Sequence, residues 1–136
     1  MVKRPNTDSR ILTTTETSIS ILETIEEWNG ATMAELQNEF SLSKSSIHGH
    51  LQTLRHCGFI TKEGEQFHVS LKMLWFAEHA KQRKAEYGPA RRKADELADR
   101  TGEEASFAIE ENDRPTVLYD TLSENSRPTY RVGTKA

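Results

Sequence analysis

Phe40-Ser-Leu-Ser-Lys-Ser-Ser-Ile-His-Gly-His-Leu-Gln-Thr-Leu-Arg-His-Cys-Gly-Phe-Ile-Thr-Lys62 is a run of 23 residues without one Asp or Glu. The whole chain of 136 residues holds 21 acids, which scaled to 23 residues is about 3.6. In their place stand Lys44, Arg55 and Lys62, with His48, His50 and His56 between them. A surface cleared of carboxylates within an acidic chain suits a polyanion, because phosphates are not repelled there.

The order of residues sharpens that reading. Ser43 is placed to N-cap a helix, and Ile47, Leu51 and Leu54 recur at i, i+4 and i+7 as one apolar stripe. The opposite face carries Ser45, His48, Gly49, Gln52 and His56, small or able to hydrogen-bond. A short helix buried along one side and polar along the other suits a DNA major groove. Upstream, Thr32 and Glu35 form a capping box for a second helix with Ala34, Leu36 and Phe40 on its apolar side. Ser41 and Leu42 make the tight connection of a helix-turn-helix.

Working outward, Thr15 to Trp28 predicts a first helix whose core face is Ile21, Leu22, Ile25 and Trp28. Cys57-Gly58 ends the recognition helix, Gly58 tolerating a left-handed cap and Cys57 expected as a small buried residue. Phe59 to Lys62 and Gln66 to Ser70 read as two strands around Glu63-Gly64-Glu65. Three helices followed by a hairpin is the order of a winged helix-turn-helix.

Beyond the hairpin, Leu71, Leu74, Trp75 and Glu78 share a helical face, while Met73, Phe76, Ala77 and Ala80 spread apolar character over the rest. A helix this apolar is expected to pack on the winged domain's own first helix and to self-associate, with Leu71, Leu74, Trp75 and Phe76 as the dimerisation residues. Tyr87-Gly88-Pro89 then reads as a break. Ala94, Leu97 and Ala98 mark a helix ending at Thr101-Gly102. Ala105, Phe107 and Ile109 alternate as a strand, Asn112 to Pro115 turns, Thr116 to Tyr119 returns, and Tyr130 and Val132 begin one more strand.

Composition bounds the rest. Net charge is −3. Residues 1–84 carry 10 Lys/Arg against 10 Asp/Glu, and residues 85–136 carry 8 against 11, so the DNA-facing part is the less negative. A winged domain of about 70 residues buries only a modest core. The single cysteine forms no internal disulfide, which fits a reducing cytoplasm. No apolar run is long enough for a bilayer, and the start of the chain has no signal-peptide pattern. Catalytic, metal and cofactor sites are not expected: His48 and His50 diverge on a helix, and His56-Cys57 lacks a third ligand or an orienting carboxylate.

Several stretches carry a family likeness. Ser18-Ile-Ser-Ile-Leu-Glu, Ala31-Thr-Met-Ala-Glu-Leu, Leu42-Ser-Lys-Ser-Ser-Ile-His and Leu51-Gln-Thr-Leu-Arg resemble the IclR-type transcriptional regulators. So do Lys62-Glu-Gly, Phe67-His-Val-Ser-Leu and Leu97-Ala-Asp-Arg-Thr-Gly-Glu-Glu-Ala. The resemblance runs from about Leu12 onward. It implies a dimeric DNA-binding repressor or activator with a winged domain, a linker helix that dimerises, and a small-molecule-binding domain. Two departures stand out. Family members commonly carry a basic residue where this chain has Gly49, so weaker or altered readout of DNA sequence is expected. The effector domain also needs well over a hundred residues, so the resemblance implies a truncated member or a fragment, not expected to sense a metabolite.

The expected architecture is therefore mainly α with small β (α+β). A flexible arm over 1–14, with Lys3, Arg4 and Arg10, precedes a winged helix-turn-helix DNA-binding domain over 15–70. A linker and dimerisation helix over 71–88 and a partial effector-domain segment over 89–136 follow. In the expected mode a homodimer grips double-stranded operator DNA. Ser43 caps the recognition helix, and Lys44, Ser45 and Ser46 approach phosphates. Ser45, His48 and Gln52 face base edges beside Gly49, with Gln52 suited to adenine, while Arg55 and Lys62 hold the backbone. The competing reading is a protein-interaction module that pairs with full-length relatives and no longer binds DNA strongly.

Overall fold

The computed structural model describes residues 10–121, which divide after Ala77 into two compact units. In the first, helix α1 spans Thr13–Glu27, strand β1 Ala31–Thr32, helix α2 Met33–Phe40 and helix α3 Lys44–His56. Strands β2 (Ile60–Glu63) and β3 (Gln66–Val69) complete it, and helix α4 (Lys72–Gln82) crosses the division. The second unit continues with helix α5 (Tyr87–Thr101) and strands β4 (Ser106–Glu110) and β5 (Pro115–Asp120). This is the α+β architecture the sequence predicts. The arm's Lys3 and Arg4 and the expected strand at Tyr130 and Val132 lie outside the described residues.

Local chemistry fixes the helix starts. Thr32 donates from its backbone N–H and its hydroxyl to Glu35 Oε2 at 2.7 and 2.8 Å, and Glu35 N–H donates back to Thr32 Oγ1 at 3.2 Å. That reciprocal box satisfies two orphan groups at the start of α2. These bonds, the backbone one foremost, hold the Glu35 carboxyl below the usual carboxylate range. Its contribution to stability is present above the ordinary Glu value and is lost as pH falls through the lowered one. Ser41 leaves α2 at φ 50, a left-handed turn, and Ser43 accepts from Ser46 N–H at 3.2 Å to open α3.

The core of this unit draws on every element. Ile21 and Ile25 of α1 and Leu36 of α2 meet Ile47, Leu51 and Leu54 of α3, with Ala31, Ile60 and Phe67 from the strands. Each large apolar side chain buried this way contributes about 1.5–3 kcal/mol, which is how a small domain offsets its chain entropy. Two expected core positions are not core. Trp28 is the C-cap of α1 and is 42% exposed, since the helix ends before its ring can turn inward. Ala34 is exposed, and Met33 packs on the core in its place.

Strand β1 is an addition that no local pattern announces. Ala31 pairs with Phe67 and Thr32 with Gln66, so the wing is a three-stranded antiparallel sheet ordered β1-β3-β2. Gly30, at φ 114, makes the turn out of α1 possible. The left-handed φ calls for glycine, and a Cβ there would also oblige the tip of the His68 imidazole to move aside.

In the second unit the Tyr87-Gly88-Pro89 triplet opens α5, contrary to the expected break. Pro89 sits in the first turn, where its missing N–H leaves no bond unmade. The helix marked by Ala94, Leu97 and Ala98 ends at Thr101-Gly102 as expected, with Tyr87 and Ala94 buried and Leu97 exposed. Asn112 and Asp113 take φ 53 and 58 between β4 and β5, the primed geometry that suits a tight hairpin. Among the described residues no helix is long and apolar enough to cross a membrane.

Thr32→Ala removes the reciprocal cap without touching the core. Urea unfolding should show the variant destabilised by about 1 kcal/mol with an unchanged m-value.

Candidate nucleic-acid interface

Helix α3 turns its three buried aliphatics inward, so its other side chains are sorted by angle. At 3.6 residues per turn, Ser45, Gly49, Gln52 and His56 form the outermost row, and all four are exposed. Lys44, His48 and Arg55 are also exposed, while Ser46 and His50 are half-buried. Lys44, Ser45, Ser46, His48, Gly49, Gln52 and Arg55, the candidate contact residues of this helix, therefore all lie on α3 outside its buried stripe, and none is an acid.

Two hollows flank this row. Toward α1, Ser46, Gly49, His50 and Thr53 line an open groove of about 580 Å3 together with Thr14, Thr15 and Ser18. Toward the wing, His48, Gln52, Arg55 and Lys62 border a cleft of about 130 Å3 floored by Leu51 and Phe67. Lys62 belongs to β2, and its ammonium lies 5.6 Å from the centroid of the Phe67 ring on the neighbouring strand. This cation–π seat aims the wing's charge at the same cleft as Arg55. The wing cleft also contains Glu65. Sequence order hid it, because the hairpin folds this carboxylate back beside the acid-free helix.

The two central histidines have different duties. His50 Nδ1 and Ser18 Oγ are 2.7 Å apart, tying the middle of α3 to α1. His48 Nε2 is 3.5 Å from the Gln52 amide nitrogen, a contact at the long limit for a hydrogen bond. Such a bond restrains neither side chain strongly, so both can reorient at the surface. The two imidazoles thus point to different neighbours, as their spacing implies.

Gly49 is not needed by the fold. A Cβ there meets nothing within 4 Å, and its φ is not left-handed. Thr53 Oγ1 donates to the Gly49 carbonyl at 2.8 Å, one turn along the helix. The centre of the outer row is therefore bare backbone. Cys57, expected to be buried, is exposed at the C-cap and lines the α1 groove, because the helix ends one residue short of a further inward position.

Of the residues expected to dimerise, Leu71 is 81%, Leu74 60%, Trp75 58% and Phe76 43% exposed. No residue of α4 is buried. Leu71 precedes the helix, and Trp75 and Phe76 pack edge to face at 5.2 Å. Phe76 also meets Phe59 at 5.7 Å.

Comparison with known proteins agrees with the winged-helix fold. Residues 15–64 match the IclR helix-turn-helix domain. The chain is 29% identical over 125 residues to a probable HTH-type transcriptional regulator, ArcR, of Halobacterium salinarum, covering 91% of this chain and 48% of that protein. It superposes on the crystal structure of Thermotoga maritima IclR with a TM-score of 0.75 at 20% identity, covering 90% of this chain and 51% of that one. An IclR-type transcriptional regulator from Alicyclobacillus acidocaldarius gives 0.73 at 15% identity, covering 93% and 54%. The chain thus spans about half the length of the relatives it matches.

Because Gly49 pays a backbone-entropy penalty and its surroundings are open, Gly49→Ala should raise unfolding free energy by about 0.5–1 kcal/mol. Denaturant titration of the two proteins checks it.

Proposed function

We propose that this chain, whose residues 15–64 form an IclR-type helix-turn-helix domain, is a transcriptional regulator that binds operator DNA as a homodimer. One observation carries the reading: the exposed side of α3 is rich in hydroxyl, imidazole and amide groups and free of carboxylates, while its apolar stripe is wholly committed to the core.

The proposed division of labour follows the geometry. Lys44, Ser45 and Ser46 occupy the first turn, where the helix's positive end favours a phosphate that its own Ser43 cap leaves room for. Ser45, His48 and Gln52 reach base edges, and Gln52 is able to bond adenine at two atoms. Arg55 and Lys62 hold the backbone on the wing side, with Glu65 nearby limiting how far a phosphate enters the cleft. Gly49 contributes no side-chain bond, so specificity falls on its neighbours. One such helix contacts few bases, and a two-fold dimer through Leu71, Leu74, Trp75 and Phe76 would read two half-sites a whole number of helical turns apart.

The test is a fluorescence-anisotropy titration against sites selected from a random DNA pool, repeated over a salt series. The selected sites should bind, with affinity falling steeply as salt rises, and Lys44→Ala should reduce the slope of log K against log salt by about 0.9. No selected sequence, or a salt-independent affinity, overturns the reading.

The dimer is tested separately. Trp75→Ser with Phe76→Ser should convert the protein to monomer in light scattering and sharply weaken binding to paired half-sites. An unchanged mass removes this face from the interface.

A further inference from the structure

We infer that Lys72 is a positioning residue: it locks the recognition helix to the linker helix and so sets the half-site spacing that a dimer accepts. This inference rests on the dimeric DNA-binding reading above and adds to it the element that fixes the geometry.

The exit of α3 is closed by the entry of α4. Lys72, the first residue of α4, donates from Nζ to the Cys57 carbonyl at 2.6 Å. Ser70 Oγ donates to the Gly58 carbonyl, and Ser70 N–H donates to the Phe59 carbonyl at 2.9 Å. Three successive carbonyls leaving the recognition helix are thus taken by two residues at the start of the linker. Lys72 N–H closes the loop with a 3.3 Å bond to Ser70 Oγ.

Charge and packing reinforce the joint. The C-terminal end of a helix carries partial negative charge, which an ammonium at its last carbonyls offsets. The same ammonium lies 4.8 Å from the Phe59 ring centroid and 6.0 Å from that of Phe76, so it faces one aromatic ring from each side of the joint. Its methylene stem runs over Gly58, where an added Cβ would sit 3.4 Å from Lys72 Cδ. Since α4 buries none of its side chains, its direction relative to α3 depends on this polar joint and on the Phe59–Phe76 contact. In a dimer held through α4, that direction decides where the two recognition helices stand relative to each other.

Lys72 is exposed, so its replacement leaves the core intact. The experiment takes the site selected by the wild-type chain and varies the spacing of its half-sites one base pair at a time. It compares wild type with Lys72→Met, which keeps the stem and loses the donor, and with Lys72→Arg, which keeps a cation. Wild type should prefer one spacing by about tenfold or more, equivalent to about 1.4 kcal/mol. Lys72→Met should lose most of that preference while keeping its dimer mass and its affinity for a single half-site, and Lys72→Arg should recover it. Retention of the spacing preference by Lys72→Met overturns the inference alone. Failure of the wild-type chain to select any DNA overturns the dimeric DNA-binding reading as well.

Discussion

Burial of Ile47, Leu51 and Leu54 is the constraint on which the rest depends. Once these three are committed to Ile21, Ile25, Leu36 and Phe67, the rotation of α3 about its own axis is no longer free. A rotation of one residue, about 100°, would expose an aliphatic and bury a histidine or glutamine without partners, at a cost of several kcal/mol. The outward row is thereby specified by the inward one. What the helix shows to a partner is a consequence of what it hides.

Much of this was legible because it is local. The Thr32–Glu35 box, the Ser43 cap and the i, i+4, i+7 spacing each act within one or two turns, and each is present as read. The failures are the non-local features. Strand β1 is two residues long and exists only because Phe67, thirty-six positions later, offers it a partner. Trp28 and Cys57 look like core residues by type, but both lie at helix ends, where the chain departs before the side chain can turn inward. Tyr87-Gly88-Pro89 looks like a break, yet a proline in a helix's first turn offends nothing, and the buried Tyr87 ring anchors the start. Glu65 and Lys72 were missed as neighbours of α3 for the same reason: only the folded hairpin brings them there.

That hairpin also tempers the electrostatics. An acid-free stretch in sequence becomes, in space, a face with one carboxylate at its wing-side border. The positive groups are then not spread evenly. Lys44 stands at the entry of α3, whereas Arg55 and Lys62 share the cleft with Glu65. With formal net charge of −3 the chain as a whole supplies no long-range attraction to a polyanion. On the proposed reading, affinity for DNA would then come from short-range contacts, since charges beyond about 8 Å are screened at physiological salt. This places weight on the exact docking of few groups, and so on the rigidity of the helix that carries them.

Rigidity is supplied from every side but one. The first turn of α3 is held by Ser43, its middle by the Ser18–His50 bond, its buried flank by the aliphatics, and its exit by Ser70 and Lys72. None of these ties uses Gln52 or the side of Gly49, where a new side chain meets nothing. Fold and surface are therefore separable on this helix: the residues that set its pose are not those of its outer row. On the proposed reading, a change along the outer row would alter what is read at little expense in stability, whereas a change in the ties would alter where the helix stands. Gly49 belongs to the outer row, and no close contact of the helix calls for its bare backbone, since an added Cβ meets nothing within 4 Å.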